Sequence, residues 1–351
     1  MTADQIIATG RAIAAVQQAD GAIGWPDGHV DAWNHVECVM ALSVCGLRPE
    51  ARRGYLWLAT TQRPDGSWPV TSNENGIREW RAESNHAAYC AVGVWHELQV
   101  TGDSGFAAQM WPVVRAGLDF ALGLQTPRGE IIWRRFEDGS PDSYALLAGC
   151  ASMYQSLRCG IALAEHLGEP QPDWELAATL VGHAVACHGE AFADKSRFSM
   201  DWYYPVLGGT VRGAAAESLI KAGWDTFVVP GVGVRCVSDQ PWVTAAETCE
   251  LAMALDAIGD RDRAIDLFAE IQFLRCPDGA YWTGWQYQNS KYFPHEQSSY
   301  TAAAVVLAAD VLAGSGQSSA AGMFRAAAAG PEICRPADPA ACGCPAPVST
   351  A

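Results

Sequence analysis

Six acidic residues stand just before long helical segments, and their types and spacing could perform chemistry. They recur at intervals of 52, 59, 59, 38 and 57 residues and are Asp31, Glu83, Asp142, Asp201, Asp239 and Glu296. A single acid at such a place caps its helix, because it accepts hydrogen bonds from free backbone N–H groups. If the helices form a closed ring and all point the same way, however, the six carboxyl groups converge on one opening. The spacing therefore predicts an acidic pocket in which the caps and the pocket coincide.

Aromatic and polar residues accompany these acids and complete the predicted pocket. His295 joins the six acids as a catalytic candidate, and the predicted substrate-binding residues are Trp33, His35, His86, Tyr144, Trp202, Tyr203, Tyr204, Trp242, Trp282, Trp285, Arg81 and Arg134. Aromatic faces and carboxylates stabilise a carbocation. The same residues suit a sugar, since paired acids act as general acid and base at a glycosidic bond. The residues alone leave both chemistries open.

Two of the acids, Asp201 and Asp239, are the strongest candidates for a proton donor. Aromatic residues surround both in the sequence, and no basic residue lies between 198 and 206 or between 236 and 246. Exclusion of water raises the pKa of a carboxylic acid. We therefore expect Asp201 and Asp239 to hold protons near neutral pH and to be catalytic.

Helices of two kinds must position these residues. Segments such as HVECVMALSVCGL are apolar on nearly every face, which is typical of interior helices, whereas DRDRAIDLFAEIQFL is amphipathic and suits a surface. Their alternation along the chain predicts an all-α protein, an α/α toroid of about six helical hairpins with inner and outer rings. We expect a single domain over residues 1–330 and a flexible Pro-, Ala- and Cys-rich tail over residues 331–351.

A turn motif recurs where outer helices end. Its clearest copy is QRPDGSW, with Gln62, Gly66 and Trp68, and related copies begin at Gln17, Gln125 and Arg275. Each copy has a polar residue, a glycine four positions later and a large apolar residue two positions beyond. Recurrence of this kind indicates a repeat architecture.

This motif resembles the QW repeat of the terpene cyclase and prenyltransferase superfamily, which includes the squalene-hopene cyclases and has the α/α toroid fold. The resemblance implies an enzyme acting on an isoprenoid in a central cavity, with the glutamine capping the turn and the aromatic residue packing beneath it. The acid motifs of that family, Asp-x-Asp-Asp and Asp-Asp-x-x-Asp, do not occur in the sequence, and Pro241 stands where a zinc-binding cysteine would follow Asp239. The sequence therefore predicts a non-standard acid and no Mg, Zn or other cofactor.

Two other functions fit the same sequence. Carbohydrate-active enzymes of the glycoside hydrolase or epimerase type share a six-hairpin α/α barrel, and the fold alone does not choose between chemistries. The third possibility is a non-catalytic binding toroid in which the six acids are helix caps only.

Composition limits the partners. The net charge is −16 with three lysines, which argues against nucleic acid and anionic membranes, and no apolar run reaches the roughly 18 residues of a membrane span. Twelve cysteines scattered through helical segments suit a reducing compartment. We therefore expect a cytoplasmic protein with a small-molecule substrate, either an isoprenoid or a sugar, and no integral membrane segment.

Overall fold

The computed structural model describes residues 1–314, 319–328, 330 and 333, and their helices form two concentric rings. The outer ring consists of α1 (Ala3–Ala15), α3 (Arg48–Thr61), α6 (Ser104–Leu122), α8 (Pro172–Cys187), α10 (Gly213–Phe227) and α12 (Arg261–Glu270). The inner ring consists of α2 (Ala32–Val44), α5 (Cys90–Thr101), α7 (Leu147–Leu167), α9 (Ser199–Leu207), α11 (Ala245–Ala257) and α13 (Ser299–Ala313). The short helix α4 (Ser84–Ala88) leads into α5.

The inner ring is closed. Each inner helix packs against the next one, and α13 packs against α2. Burial follows the pattern of the sequence: α13 is buried along residues 301–309, whereas α10 buries one stripe that includes Ala216 and Ile220. The prediction of an α/α toroid with inner and outer helices is confirmed.

The repeated turns join neighbouring outer helices. In three of them the glutamine Nε2 donates to the carbonyl of the turn glycine and to a carbonyl of the next outer helix. The donors and acceptors are Gln17 with Gly21 and Glu50, Gln62 with Gly66 and Val113, and Gln125 with Gly129 and Ala177, all at 2.9–3.0 Å. Trp68 is buried beneath its turn and donates to the Leu58 carbonyl at 3.2 Å. The predicted role of the motif is therefore confirmed.

The turn glycines allow this contact because they lack a Cβ. Gly66 has a φ of +88°, and a Cβ there would lie 2.0 Å from the Ala116 carbonyl oxygen of α6. The fourth turn, which begins at Arg275, places Gly279 against the Ala8 carbonyl of α1, where a Cβ would lie at 2.6 Å. The last turn thus packs on the first helix and closes the outer ring.

The loops before the inner helices contain short antiparallel strands. They are β1 (Thr71–Asn73), β2 (Gly76–Glu79), β3 (Ala82–Glu83), β4 (Arg134–Arg135), β5 (Val228–Val229), β6 (Gly233–Arg235), β7 (Trp242–Thr244), β8 (Gly284–Gln286) and β9 (Lys291–Tyr292). β1 pairs with β2, β3 pairs with β4, and β5 to β9 form one sheet in chain order. These loops contact one another, as when Ser84 N donates to the Trp133 carbonyl at 2.9 Å. The starts of the inner helices therefore meet at one end of the ring.

A final helix, α14 (Ser319–Ala328), packs against α5, α7 and α13. Trp95, midway along α5, donates to the Gly322 carbonyl at 3.2 Å, and Gln99, near the end of α5, lies beside Gly322. This helix thus lies toward the end of the ring opposite to the loops just described.

Other features predicted from the sequence concern the tail, the cysteines and membranes. The predicted tail, residues 331–351, lies outside the described residues apart from Ile333, so its extent and that of the 1–330 domain stay predictions. Of the nine cysteines in the described ranges, all except Cys187 are free thiols. Among the described helices, none combines the length and the apolar character needed to cross a membrane.

Candidate active site

The interior of the ring contains a buried carboxyl group, that of Glu37. Glu37 is the sixth residue of α2 and is 4 % exposed. Its Oε1 accepts hydrogen bonds from Trp33 Nε1 and from the Tyr89 hydroxyl, both at 3.0 Å. The rings of Trp33 and Tyr89 stack with their centroids 4.8 Å apart. Burial raises the pKa of Glu37 to about 7.

A second buried carboxyl group, that of Glu250, comes from α11. It accepts hydrogen bonds from the hydroxyls of Tyr203, of Tyr204 at 3.2 Å and of Tyr300 at 3.3 Å. Burial and the charge of Glu37 raise the pKa of Glu250 well above its ordinary value. We call Glu37, Glu250 and their five aromatic donors the floor network. It links four inner helices and the Tyr89 junction before α5.

A second set of side chains lies one helical turn closer to the helix starts. Each member of this set precedes a member of the floor network by three positions. Residues with this spacing share a helix face, so the two sets lie one above the other. The set consists of Asn34, His86, Asp201 and Glu247, and we call it the mouth layer. All four side chains are partly exposed, whereas Glu37 and Glu250 are buried. A ligand that enters the ring therefore meets the mouth layer first.

Asp201 holds a carboxyl group with a raised pKa at this mouth. Its Oδ1 accepts a hydrogen bond at 3.2 Å from Ala148 N, in the first turn of the neighbouring helix α7. Burial outweighs this bond and raises the pKa of Asp201 to about 6. The predicted direction is confirmed. The capping role differs from the prediction, because Asp201 caps the neighbouring helix and not its own.

Glu247 supplies the other carboxyl group of the mouth layer. It accepts a hydrogen bond from the hydroxyl of Thr244, the last residue of β7. Its charge contributes to the raised pKa of Glu250, one turn deeper in α11. The mouth layer thus brings two partly exposed carboxyl groups from adjacent helices above one buried network.

Polar atoms without partners lie on the α4 side of the mouth. Asn85 Oδ1 and His86 Nδ1 are inaccessible to solvent and receive no hydrogen bond from the described residues. His86 Nε2 lies 3.3 Å from Glu83, and the rings of Trp33 and His86 meet edge to face with their centroids 6.3 Å apart. Buried polar atoms are costly when unpaired.

Asp31 caps α2 and also contacts the mouth layer through Asn34. Its side chain accepts from Asn34 N at 2.8 Å, which caps α2 as predicted, from Asn34 Nδ2 at 2.6 Å and from Trp25 Nε1 at 2.8 Å. Trp25 lies 6.0 Å from the ring of Tyr300. Asp31 therefore orients Asn34 and Trp25, and its oxygens are already occupied.

Asp142 and the residues predicted around it form a local cluster. Arg134 Nε donates to Asp142 at 2.7 Å, and the guanidinium group lies 4.0 Å from the Trp133 ring, which in turn packs on Tyr144 at 5.5 Å. Arg81 pairs with Glu79 in the same way. Both predicted arginines are thus neutralised by carboxylates of their own loops.

Asp239 does not have the predicted environment. It is exposed, and Arg197 Nη2 donates to its two carboxylate oxygens at 2.9 and 3.0 Å. Hydrogen bonding and the charge of Arg197 lower the pKa of Asp239. The prediction of a poorly solvated proton donor was wrong, because the cation comes from 42 residues earlier in the chain.

His35 and Trp202 were wrongly predicted to bind substrate. His35 is fully buried: its Nδ1 accepts from Ile23 N at 3.1 Å, and its Nε2 donates to the Gly54 carbonyl at 2.9 Å. Burial lowers the pKa of His35 to about 4. Trp202 faces α10 and donates to the Leu219 carbonyl at 2.9 Å. Both side chains hold an inner helix to its surroundings.

The remaining predicted residues lie in or beside the sheet of β5 to β9. Trp242 Nε1 donates to the Phe293 carbonyl, and Trp285 packs edge-on against Tyr292 at 5.2 Å. The Trp282 ring stacks on Tyr292, with the ring centroids 4.4 Å apart, and packs on the exposed His295 at 4.9 Å. Glu296 accepts a hydrogen bond from the Thr283 hydroxyl at 3.4 Å. Substrate contact for this group stays a prediction.

Sequence reasoning missed the two buried acids and Glu247. The signal was present, since HVECVMAL places one glutamate and AAETCELAMAL places two inside mainly apolar interior helices. A carboxylate on a helix that is buried all round needs partners, and the partners are the tyrosines of other inner helices. Tyr203 and Tyr204, predicted to contact substrate, serve as those partners.

Comparison with known proteins identifies a relative. The chain is 52 % identical over 313 residues, 89 % of its length and 87 % of the relative's, to the "MMP endo-(1,4)-3-O-methyl-alpha-D-mannosidase" of Mycolicibacterium hassiacum. No protein-family model matches the sequence.

Solved structures share the fold at low identity. A wild-type glycosidase matches with a TM-score of 0.71 at 13 % identity, covering 89 % of this chain and 98 % of that one. A D-mannose isomerase gives 0.68 at 10 %, covering 89 % and 97 %, and the GH63 mannosylglycerate hydrolase of Thermus thermophilus gives 0.67 at 11 %, covering 85 % and 98 %.

These findings overturn the resemblance to terpene cyclases and prenyltransferases. The isoprenoid prediction was wrong, because the relative at 52 % identity is a mannosidase and the fold neighbours are sugar enzymes. The carbohydrate alternative is the one that the comparisons support.

Proposed function

The chain belongs to the family of the M. hassiacum mannosidase, and from that membership we propose that it is an endo-acting glycosidase of (1,4)-linked 3-O-methyl-α-D-mannose chains. Its substrate is then a sugar, which enters the ring at the mouth layer. Cleavage of a sugar chain does not require the isoprenoid-binding central cavity that the sequence predicted.

The partly exposed polar mouth layer is the observation that carries this proposal. Its members are an amide, an imidazole and two carboxyl groups, and the carboxyl groups stand on the adjacent helices α9 and α11. A sugar supplies hydroxyl groups that exchange hydrogen bonds with all four side chains. An isoprenoid chain would remove them from water without replacing their hydrogen bonds, at a cost of roughly 1–3 kcal/mol each.

Asp201 is the proposed general acid. A carboxyl group with a pKa of about 6 is still partly protonated near neutral pH and can donate its proton to the glycosidic oxygen as the C1–O bond breaks. Glu247 is the proposed general base, which takes a proton from the water whose oxygen attacks C1. One water is consumed and one chain becomes two, so the atoms balance.

The floor network closes the site below this reaction. Its donors are neutral tyrosines and a tryptophan, so burial and mutual repulsion favour retention of a proton by the Glu37–Glu250 pair near neutral pH. The floor is therefore less negative than two free carboxylates would be. Asp201 and Glu247 are the partly exposed carboxyl groups that stand one helical turn above this pair.

Three further expectations accompany this proposal. The absence of a metal or other cofactor, the cytoplasmic location and the lack of a nucleic-acid partner stay predictions. Acid–base hydrolysis by two carboxyl groups is consistent with the first of them, since it needs no cofactor.

The direct test is incubation of the purified protein with (1,4)-linked 3-O-methyl-α-D-mannose oligosaccharides of defined length, followed by mass spectrometry. We expect products of intermediate length, which mark internal cleavage, and none from Glu247→Gln. Intact chains, or monomers released from one end only, would contradict the proposal. Farnesyl and geranylgeranyl diphosphate serve as controls that should not react.

A further inference from the structure

The β1–β2 hairpin exposes two large apolar side chains beside the mouth. Ile77 is 37 % exposed and Trp80, just after β2, is 52 % exposed. Isolated apolar residues on a surface are ordinary. This pair is different because Ile77 lines a cavity and Trp80 is bonded to Arg63, another residue of the cavity wall.

The hairpin is fixed to the loop that precedes α2. Val30 N donates to the Ser72 carbonyl at 2.7 Å, and Ser72 N donates to the Val30 carbonyl at 2.9 Å. Arg78 Nη1 donates to Asp27 at 3.3 Å. Val30 and Ala32 line the cavity, while Asp31, between them, caps α2 at the mouth. The cavity and the mouth therefore share one short segment of backbone.

The cavity beneath the hairpin has a volume of about 340 Å³. Its walls combine aromatic, amide and charged groups, including Asp20, Trp57, Arg63, Asn73, Glu74 and Ile77.

Arg63 lines the cavity and contacts Trp80, and two of its three guanidinium nitrogens make no hydrogen bond to the described residues. Its guanidinium group lies 5.3 Å from the Trp80 ring centre, and Nη1 donates to the Trp80 carbonyl at 2.8 Å. Its Nε and Nη2 are inaccessible and have no partner among the described residues. Desolvation lowers the pKa of Arg63, as expected for a guanidinium group that lacks water on these atoms.

We propose that this cavity and the Ile77–Trp80 surface form a second subsite for the sugar chain, outside the ring. The inference rests on the proposed function, because it takes the same substrate and extends it beyond the mouth. An endo-acting enzyme holds residues on both sides of the cleaved bond, so its substrate extends past the catalytic groups. Hydroxyl groups of the chain can exchange hydrogen bonds with the polar residues that line the cavity, among them Asn73 and Glu74.

The 3-O-methyl groups suit the apolar part of this surface. Each methyl group replaces a hydroxyl hydrogen, which removes a donor and adds apolar area. Trp80 and Ile77 offer apolar contact of the matching kind. An unmethylated mannose chain would gain less from the same side chains.

The test is the double substitution Ile77→Ser with Trp80→Ala, assayed on chains of increasing length. We expect KM to rise about tenfold for long methylated chains, with kcat and the KM of the shortest cleaved chain unchanged. Leu176→Ser on α8, which removes a 62 % exposed apolar side chain elsewhere, is the control and should change neither. An unchanged KM at every length, or an equal rise at every length, would overturn the proposal.

Calorimetric titration of a long chain into the wild type and the double variant separates this inference from the proposed function. Weaker binding by the variant supports the subsite whether or not the wild type cleaves the chain. Equal binding overturns the subsite, whereas binding without cleavage contradicts only the proposed function. Thermal melts establish that the double variant remains folded at the temperature of the titration.

Discussion

The outer turns and the inner-helix starts are both repeated features, but only the turns repeat a geometry. Gln62 and Gln125 each bridge a turn glycine to the next outer helix at nearly identical distances. The acids at the inner starts differ: Asp31 caps its own helix, Asp201 caps its neighbour, and Asp239 pairs with Arg197. The repeated turns hold the toroid together, whereas the differences among the inner-helix starts determine the proposed chemistry.

This difference explains why a correct fold led to a wrong family. The motif at the turns serves packing between outer helices, and packing of that kind is needed in any α/α toroid. It therefore carries no information about the ligand inside the ring. In the proposed function, the ligand is determined by the mouth layer, whose side chains come from four separate helices, α2, α4, α9 and α11.

The largest expected effect is on the outer turns. In Gly66→Ala the new Cβ would lie 2.0 Å from the Ala116 carbonyl, at a φ of +88°. We expect a loss of about 3 kcal/mol or more in the free energy of unfolding, from strain and overpacking together. Chemical denaturation measures it.

Gly139→Ala is the matched control for that substitution. Gly139 has a φ of +87° but nothing within 4 Å of the added Cβ, so it isolates backbone strain and should cost about 1 kcal/mol. Equal losses in the two variants would show that contact with the next helix contributes nothing.

The second effect concerns the floor network and pH. The pKa of Glu37 is raised from 4.5 to about 7 by folding, so its stabilising contribution is complete below pH 4.5 and is lost as the pH rises through 7. We expect the melting temperature to fall between pH 5 and pH 8, and to fall less in Glu37→Gln, because an amide does not titrate. Its oxygen can still accept from Trp33 and Tyr89. Glu217→Gln on the exposed face of α10 controls for loss of one carboxyl group. Identical pH slopes in all three proteins would contradict this view of the floor.

The smallest effect tests the irregular fourth turn. Arg275 occupies the glutamine position, and its buried Nε lacks a partner among the described residues. Arg275→Gln should restore the two hydrogen bonds of the other turns and stabilise the protein by about 1 kcal/mol. Gln125→Arg, the reverse exchange, should destabilise it. A destabilised Arg275→Gln would mean that the fourth turn follows another geometry.

Local patterns determined what could be predicted from the sequence. The turn motif spans seven residues and the helix pattern fewer than twenty, so both were visible, and so was the raised pKa of Asp201 beside its own aromatic neighbours. The partner of Asp239 and the tyrosines around Glu250 lie 42 and 46–50 residues away. Contacts of that range depend on how the ring closes, which no local pattern encodes.

The central claim is that the mouth layer performs the chemistry, and that the other acids before the inner helices do not. The most direct test compares the activities of Asp201→Asn and Asp239→Asn. Activity of the wild type should fall as the pH rises through about 6, where Asp201 loses its proton. Asp201→Asn should lose at least about 100-fold in kcat/KM without a lower melting temperature, because the amide oxygen still accepts from Ala148 N. Asp239→Asn should behave as the wild type. Full activity in Asp201→Asn, or a loss confined to Asp239→Asn, would contradict the account.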